Sequence, residues 1–231
     1  MTEAEWQACA APQVLLEWLR HRGQASARTL LLFAVACCRT VWPATPRPAR
    51  PGLKPVPPIP PRMLELFADR ERRDRAAVEA AERFADGHLD AADFKAAVRA
   101  AAHNPAGLLA RRGPFRMATE VARSTSDTAF IKERQQGRNA PALLCHLLRD
   151  VFGPLAFRPV SLAPALLAWN GGTVPRLAQA IYDGRAFERL PVLADALEEA
   201  GCTDRDLLNH CRVPGPHVRG CWAVDLLLGN S

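Results

Sequence analysis

Apolar positions recur along this chain at intervals of three and four residues, the spacing that gathers side chains on one face of an α-helix. The first segment reads as two or three helices. Thr2 followed by Glu5 has the spacing of a capping box, in which each side chain satisfies a backbone N–H of the first turn. Pro12 suits a first helical position, with Val14, Leu15, Trp18 and Leu19 at helical spacing behind it and Gly23 as the stop. Ser26 then caps a strongly apolar helix from Ala27 to about Trp42, which the pattern buries on most sides. A long helix from Met63 to Asp86 places Met63, Leu66, Phe67, Val78, Ala81 and Phe84 on its inner face, and Gly87 closes it. Asp90 caps another, through about Ala102, built on Phe94, Ala97, Val98 and Ala101. Turn signals fill 103–116, and a weaker helix covers 117–136.

The last ninety or so residues are patterned more cleanly. Asn139 caps a helix carrying Leu143, Leu144, Leu147, Leu148 and Val151, which Gly153-Pro154 stops. After a proline-punctuated loop and a short turn at Leu166–Trp169, Thr173 with Pro175 opens a helix through Tyr182. Pro191 opens one ending at Gly201, and Thr203 caps a short helix to Cys211. Val213-Pro214-Gly215-Pro216 is a turn, and a final apolar element runs to Leu228. With no alternation of period two and no internal repeat, the expected fold is mainly α, an irregular multi-helix globular domain.

One stretch breaks the pattern. Residues 43–61 hold nine prolines, each removing a backbone donor and fixing φ, so neither helix nor central strand survives there. Polyproline II is the expected conformation, making this a semi-rigid linker or loop between N-terminal helices, 1–42, and a helical domain, 62–231. The two are expected to share one core with the linker looping outside. A ligand for aromatic-lined grooves is the functional alternative for the linker.

Composition narrows the class. A chain of 231 residues, 48% hydrophobic and 23% charged, has enough apolar surface to bury a core, which excludes a disordered chain. The longest apolar stretch, Leu30–Cys38, is far short of the roughly 20 residues that span a bilayer. The acidic start, Met1 to Trp6, lacks the basic-then-apolar order of a secretory signal, and the expected location is the cytoplasm. Seven cysteines, an odd number with Cys37 and Cys38 adjacent, argue against a disulfide framework. The net charge of +6 invites a nucleic-acid partner, yet the densest run, Arg70-Glu71-Arg72-Arg73-Asp74-Arg75, is interleaved with acids and suits a solvated helix face.

Several segments are distinctive: Met1–Trp6, Leu31–Arg39, Ala77–Gly87, Ile181-Tyr182-Asp183, Leu193–Cys202 and above all Gly215-Pro216-His217-Val218-Arg219-Gly220-Cys221-Trp222. Together they resemble a family of planctomycete-type bacterial proteins with no assigned activity. They cover about half the chain. Since the family has no assigned activity, the resemblance adds little about function, and no cofactor is expected, with zinc the alternative. The proline-rich insert after Trp42 departs from the family's pattern, in which one helical region leads almost directly into the next.

Reactive side chains are dense in one place. Cys202, His210, Cys211, His217 and Cys221 are five soft-metal ligands within twenty residues. If the last element is a helix starting near Pro216, His217 and Cys221 share a face, and Cys211 or His210 with Cys202 completes a four-ligand zinc site. The spacing argues against this, since structural zinc sites pair ligands as C-x₂₋₄-C and nothing here does. On the plainer reading the cysteines pack in the core and the histidines bond loop carbonyls. A Cys–His nucleophile pair is the second option, using Cys211 or Cys221 with His217, or Cys145 with His146, although neighbours on a helix diverge.

No phosphate-binding glycine loop, H-E-x-x-H or G-x-S-x-G occurs. Three function classes remain. The favoured one is a non-catalytic helical module that binds another protein. The others are a metal- or thiol-dependent enzyme centred on the C-terminal Cys/His cluster, and arginine-mediated nucleic-acid binding.

Overall fold

The periodicity is realised as helices throughout. The computed structural model describes residues 1–41, 60–101, 105–111, 113–133 and 140–230, and among these there are eleven α-helices and no strand, so the fold is mainly α. In chain order they are α1 (Glu3–Ala8), α2 (Pro12–Arg22), α3 (Ala27–Thr40), α4 (Pro61–Ala85), α5 (Ala91–Ala100), α6 (Pro114–Glu133), α7 (Ala140–Phe152), α8 (Pro164–Gly184), α9 (Leu190–Glu199), α10 (Arg205–Arg212) and α11 (Trp222–Leu228). No described helix is long and apolar enough to cross a membrane. The proline-rich stretch expected over 43–61 lies outside the described residues as far as Ile59, and so does the expected cap Asn139.

Two compact units divide the chain, Met1–Phe33 with Pro141–Ser231, and Ala34–Ala140. In the first, the capping box closes as expected: the Thr2 N–H donates to Glu5 Oε2 at 2.7 Å and the Glu5 N–H to Thr2 Oγ1 at 3.2 Å. It fixes α1 so that Trp6 is wholly buried, 5.4 Å from the Trp18 ring and 5.9 Å from Phe157. Arg149 on α7 then ties α1 down by donating to the carbonyls of Trp6 and Cys9.

The C-terminal helices of this unit form one apolar cluster, with Val174, Ile181, Leu193, Leu197, Leu207 and Trp222 at its centre. α8 is in fact two helices. Asn170, Gly171 and Gly172 are left-handed and break it before Thr173, so the turn expected at Leu166–Trp169 falls later, and Leu166 lies in the first of the two helices. α10 is capped by Asp204 rather than Thr203, its carboxylate taking the N–H groups of Asp206 and Leu207. α11 is anchored from the far end of the sequence, where Arg28 donates to both oxygens of Asp225 and to the Tyr182 hydroxyl.

In the second unit, α4 packs its C-terminal half on α5. Ala77, Val78 and Ala81 are buried, and the Phe84 and Phe94 rings stack at 4.6 Å. Buried Glu82 receives both the Nε and an Nη of Arg39 at 2.9 Å. The expected inner face of α4 fails in its first half: Met63, Leu66 and Phe67 are 43%, 56% and 46% exposed, with Leu64 at 51%. The lengths explain it. α5 is about 15 Å long against roughly 37 Å for α4, so it covers only one end.

Candidate metal centre

Three elements of the first unit converge on one carboxylate. α7 carries Asp150 in its last turn, 4% exposed although the helix dipole disfavours an acid there. Gly153, just beyond, is left-handed at φ +49°, and a Cβ there would lie 2.4 Å from the Trp222 indole. Only glycine lets the chain leave α7 so close to α11. α10 supplies His210 in its last turn, and the turn after it, opened by Pro214 and Pro216, carries His217. Cys221 is the N-cap of α11. Gly220, at φ +95°, passes so close to α3 that a Cβ would sit 2.9 Å from that of Leu32, which seats the turn.

The donor atoms of Asp150, His210, His217 and Cys221 all lie within 4.8 Å of one another. His217 Nδ1 is 2.6 Å from Asp150 Oδ1, and His210 Nε2 is 3.2 Å from that same oxygen and 3.1 Å from Cys221 Sγ. Outer contacts hold each group. Asp150 Oδ2 accepts the Val218 N–H at 2.9 Å, and His217 Nε2 is 3.3 Å from the Val213 carbonyl. The His217 ring stands edge-on to His210 at 4.9 Å, and His210 lies 5.1 Å from Trp222.

The electrostatics follow from this packing. Burial pushes the Asp150 carboxyl up, but the hydrogen bonds and charge of His210 and His217 outweigh it and hold the acid below its ordinary range. Burial pulls His217 down, and the bond to Asp150 overrides it and raises the imidazole. Cys221 is wholly buried, so desolvation, with Asp150 nearby, drives its thiol far up. Without a cation in the cluster that sulfur stays protonated.

This geometry sorts the candidates. His210, His217 and Cys221 come together, whereas Cys202 and Cys211 are buried in the apolar cluster beside them, the Cys211 thiol raised by burial to about 12. His217 and Cys221 meet through the turn and not along a helix, because α11 begins only at Trp222. The fourth donor is Asp150, sixty residues before His210 and invisible to a search by spacing. Its one local signal is an acid among Leu147, Leu148 and Val151 at a helix C-terminus, the wrong end for its charge.

A thiol-nucleophile arrangement fits less well. A catalytic histidine contacts the thiol with one nitrogen and its orienting acid with the other. Here a single nitrogen, His210 Nε2, faces both Cys221 and Asp150. Cys145 is buried with its thiol raised to about 11, and its neighbour His146 is exposed. Arginines elsewhere have partners of their own: Arg212 bonds Glu198 and Asp195, Arg219 lies over the Tyr182 ring, and Arg111 faces Glu120.

A cleft of about 630 Å³ opens on the cluster, lined by Asp150, His210, His217 and Trp222 among others, while Cys221 does not line it. Comparison with protein-family models, curated proteins and solved structures finds no match for this chain.

Proposed function

We propose that this protein is a zinc-binding helical protein whose ion sits among Asp150, His210, His217 and Cys221. The observation that carries the reading is the convergence of four donor groups within 4.8 Å, Asp150 and Cys221 buried and both imidazoles partly buried. A thiolate, two imidazoles and a carboxylate form a donor set typical of zinc, whose bonds of about 2.0–2.3 Å set ligand atoms some 3.3–3.7 Å apart. The outer contacts support it as well. A metal-bound histidine normally donates its other N–H to a carbonyl or carboxylate, the contact His217 Nε2 makes with Val213. A cation also accounts for a buried cysteine facing an acid, since it would hold the sulfur as thiolate.

A cytoplasmic setting goes with this reading, all seven cysteines being free and six of them buried. The test is elemental analysis of the full chain reconstituted with zinc. One zinc per chain is expected in the parent and in Cys211→Ala, with stoichiometric loss in Cys221→Ala and His217→Ala. Equal zinc in all four, or none in the parent, sinks the proposal.

A second reading, a module that binds another protein, draws on the exposed Met63, Leu64, Leu66 and Phe67 at the start of α4. A Leu66→Lys/Phe67→Lys variant is then expected to keep its unfolding midpoint. A drop of several degrees would mean the stripe is internal to the fold and end that reading.

A further inference from the structure

The cluster is asymmetric, and its asymmetry bears on what the ion would do. Cys221 is 0% exposed and lies behind the group, whereas Asp150, His210 and His217 all form part of the cleft wall. A structural zinc site is closed by four protein donors and a reactive one has three. Zinc expands to five ligands, however, so with four donors here the open position is a fifth, on the cleft face. The cleft on that face, about 630 Å³, lies within the range of small-molecule sites. Its walls are of the matching kind, with Trp222, Pro214 and Pro216 as apolar surface and Asn209 and Arg149 as polar groups. Arg149 donates to the Trp6 and Cys9 carbonyls, and the wall also carries the acids Glu3 and Asp206.

Resting on the zinc reading above, we propose that the ion keeps a coordination position open to this cleft and takes there a small anionic oxygen donor, a carboxylate or hydroxamate. The thiolate behind and the three donors in the wall hold the metal. The open face of the metal and the Trp222 surface select the ligand. This makes the cleft a substrate site of the metal centre.

Cobalt(II) in place of zinc tests this in the full chain, with acetohydroxamate as the probe. The loaded protein is expected to show a thiolate-to-cobalt band from Cys221, and acetohydroxamate is expected to shift the visible bands saturably with the cobalt retained. Asn209→Trp, which fills the cleft from an exposed position, is expected to load cobalt equally and to lose at least nine-tenths of the shift. Visible bands unmoved at saturating acetohydroxamate mean a closed site and overturn the inference, as does cobalt carried off by the probe. Failure to develop a thiolate band at all overturns the zinc reading and this one with it.

Discussion

Asp150 accepts the backbone N–H of Val218 on Oδ2 at 2.9 Å, which turns Oδ1 toward His217 and His210. One carboxylate thereby closes α7 onto the turn between α10 and α11. Replacing it by asparagine keeps an acceptor for Val218 but removes the charge and aims amide hydrogens at the imidazoles. Asp150→Asn is expected to cost about 2 kcal/mol, the range for a hydrogen bond to a charged group. In a chain of this length that lowers the thermal midpoint by roughly 4–8 °C. It should also abolish the midpoint rise that zinc is expected to give the parent. Calorimetry with and without zinc checks both, and a variant that zinc still stabilises as strongly would remove Asp150 from the ligand set.

The helices and their ends were readable because they obey local rules. Thr2 and Glu5, Asp90, and the break before Thr173 are set by residues a few positions apart. The candidate metal cluster was half readable for the same reason. His210, His217 and Cys221 sit close enough in sequence to draw notice, but their approach depends on Gly220 lying against Leu32 and Gly153 against Trp222. Those are long-range contacts with no signature in spacing. Asp150 and the exposed start of α4 belong to the same class: which face of a helix is covered is decided by a partner far away in the chain.

Acid and base act on the metal-free cluster from opposite sides. Asp150 is held below its ordinary range, so its contribution is complete above about pH 4 and is lost as pH falls through its folded value. His217 is raised, so its contribution is complete below about pH 6.5 and is lost as pH rises through its folded value. The metal-free protein is therefore expected to be less stable at pH 8 than at pH 6. Zinc reverses the trend, because it displaces the Nδ1 proton of His217 and the thiol proton of Cys221 and so binds more tightly as pH rises. Midpoints measured from pH 5 to pH 8 should diverge between the two forms. Parallel curves would contradict the assignment of His217 as a ligand.

Gly153 offers a test of the fold that is independent of any metal. Alanine there must adopt φ near +49° and place its Cβ within 2.4 Å of the Trp222 ring. The left-handed backbone alone costs about 1–3 kcal/mol, and the collision forces Trp222 or the end of α7 to move. Gly153→Ala is expected to lower the denaturant midpoint by more than Gly201→Ala, where a Cβ meets nothing within 4 Å although φ is +88°. Comparing the two separates backbone strain from overlap with the indole. Equal losses would show that Trp222 is not packed against this turn.

The cysteines give a count that distinguishes folded from unfolded chain. Six of the seven are buried and only Cys9 is partly exposed. Desolvation raises the thiols of Cys37, Cys38, Cys145, Cys211 and Cys221, and a protonated thiol is a poor nucleophile. A disulfide exchange reagent should therefore titrate one thiol per native chain within minutes, lost in Cys9→Ser, and all seven in denaturant. Zinc should leave the native count unchanged, since Cys221 is shielded by burial whether or not it binds metal. A second fast thiol appearing only when zinc is stripped, and absent in Cys221→Ala, would show that the metal itself holds α11 against the turn and that Cys221 is reached through the cleft.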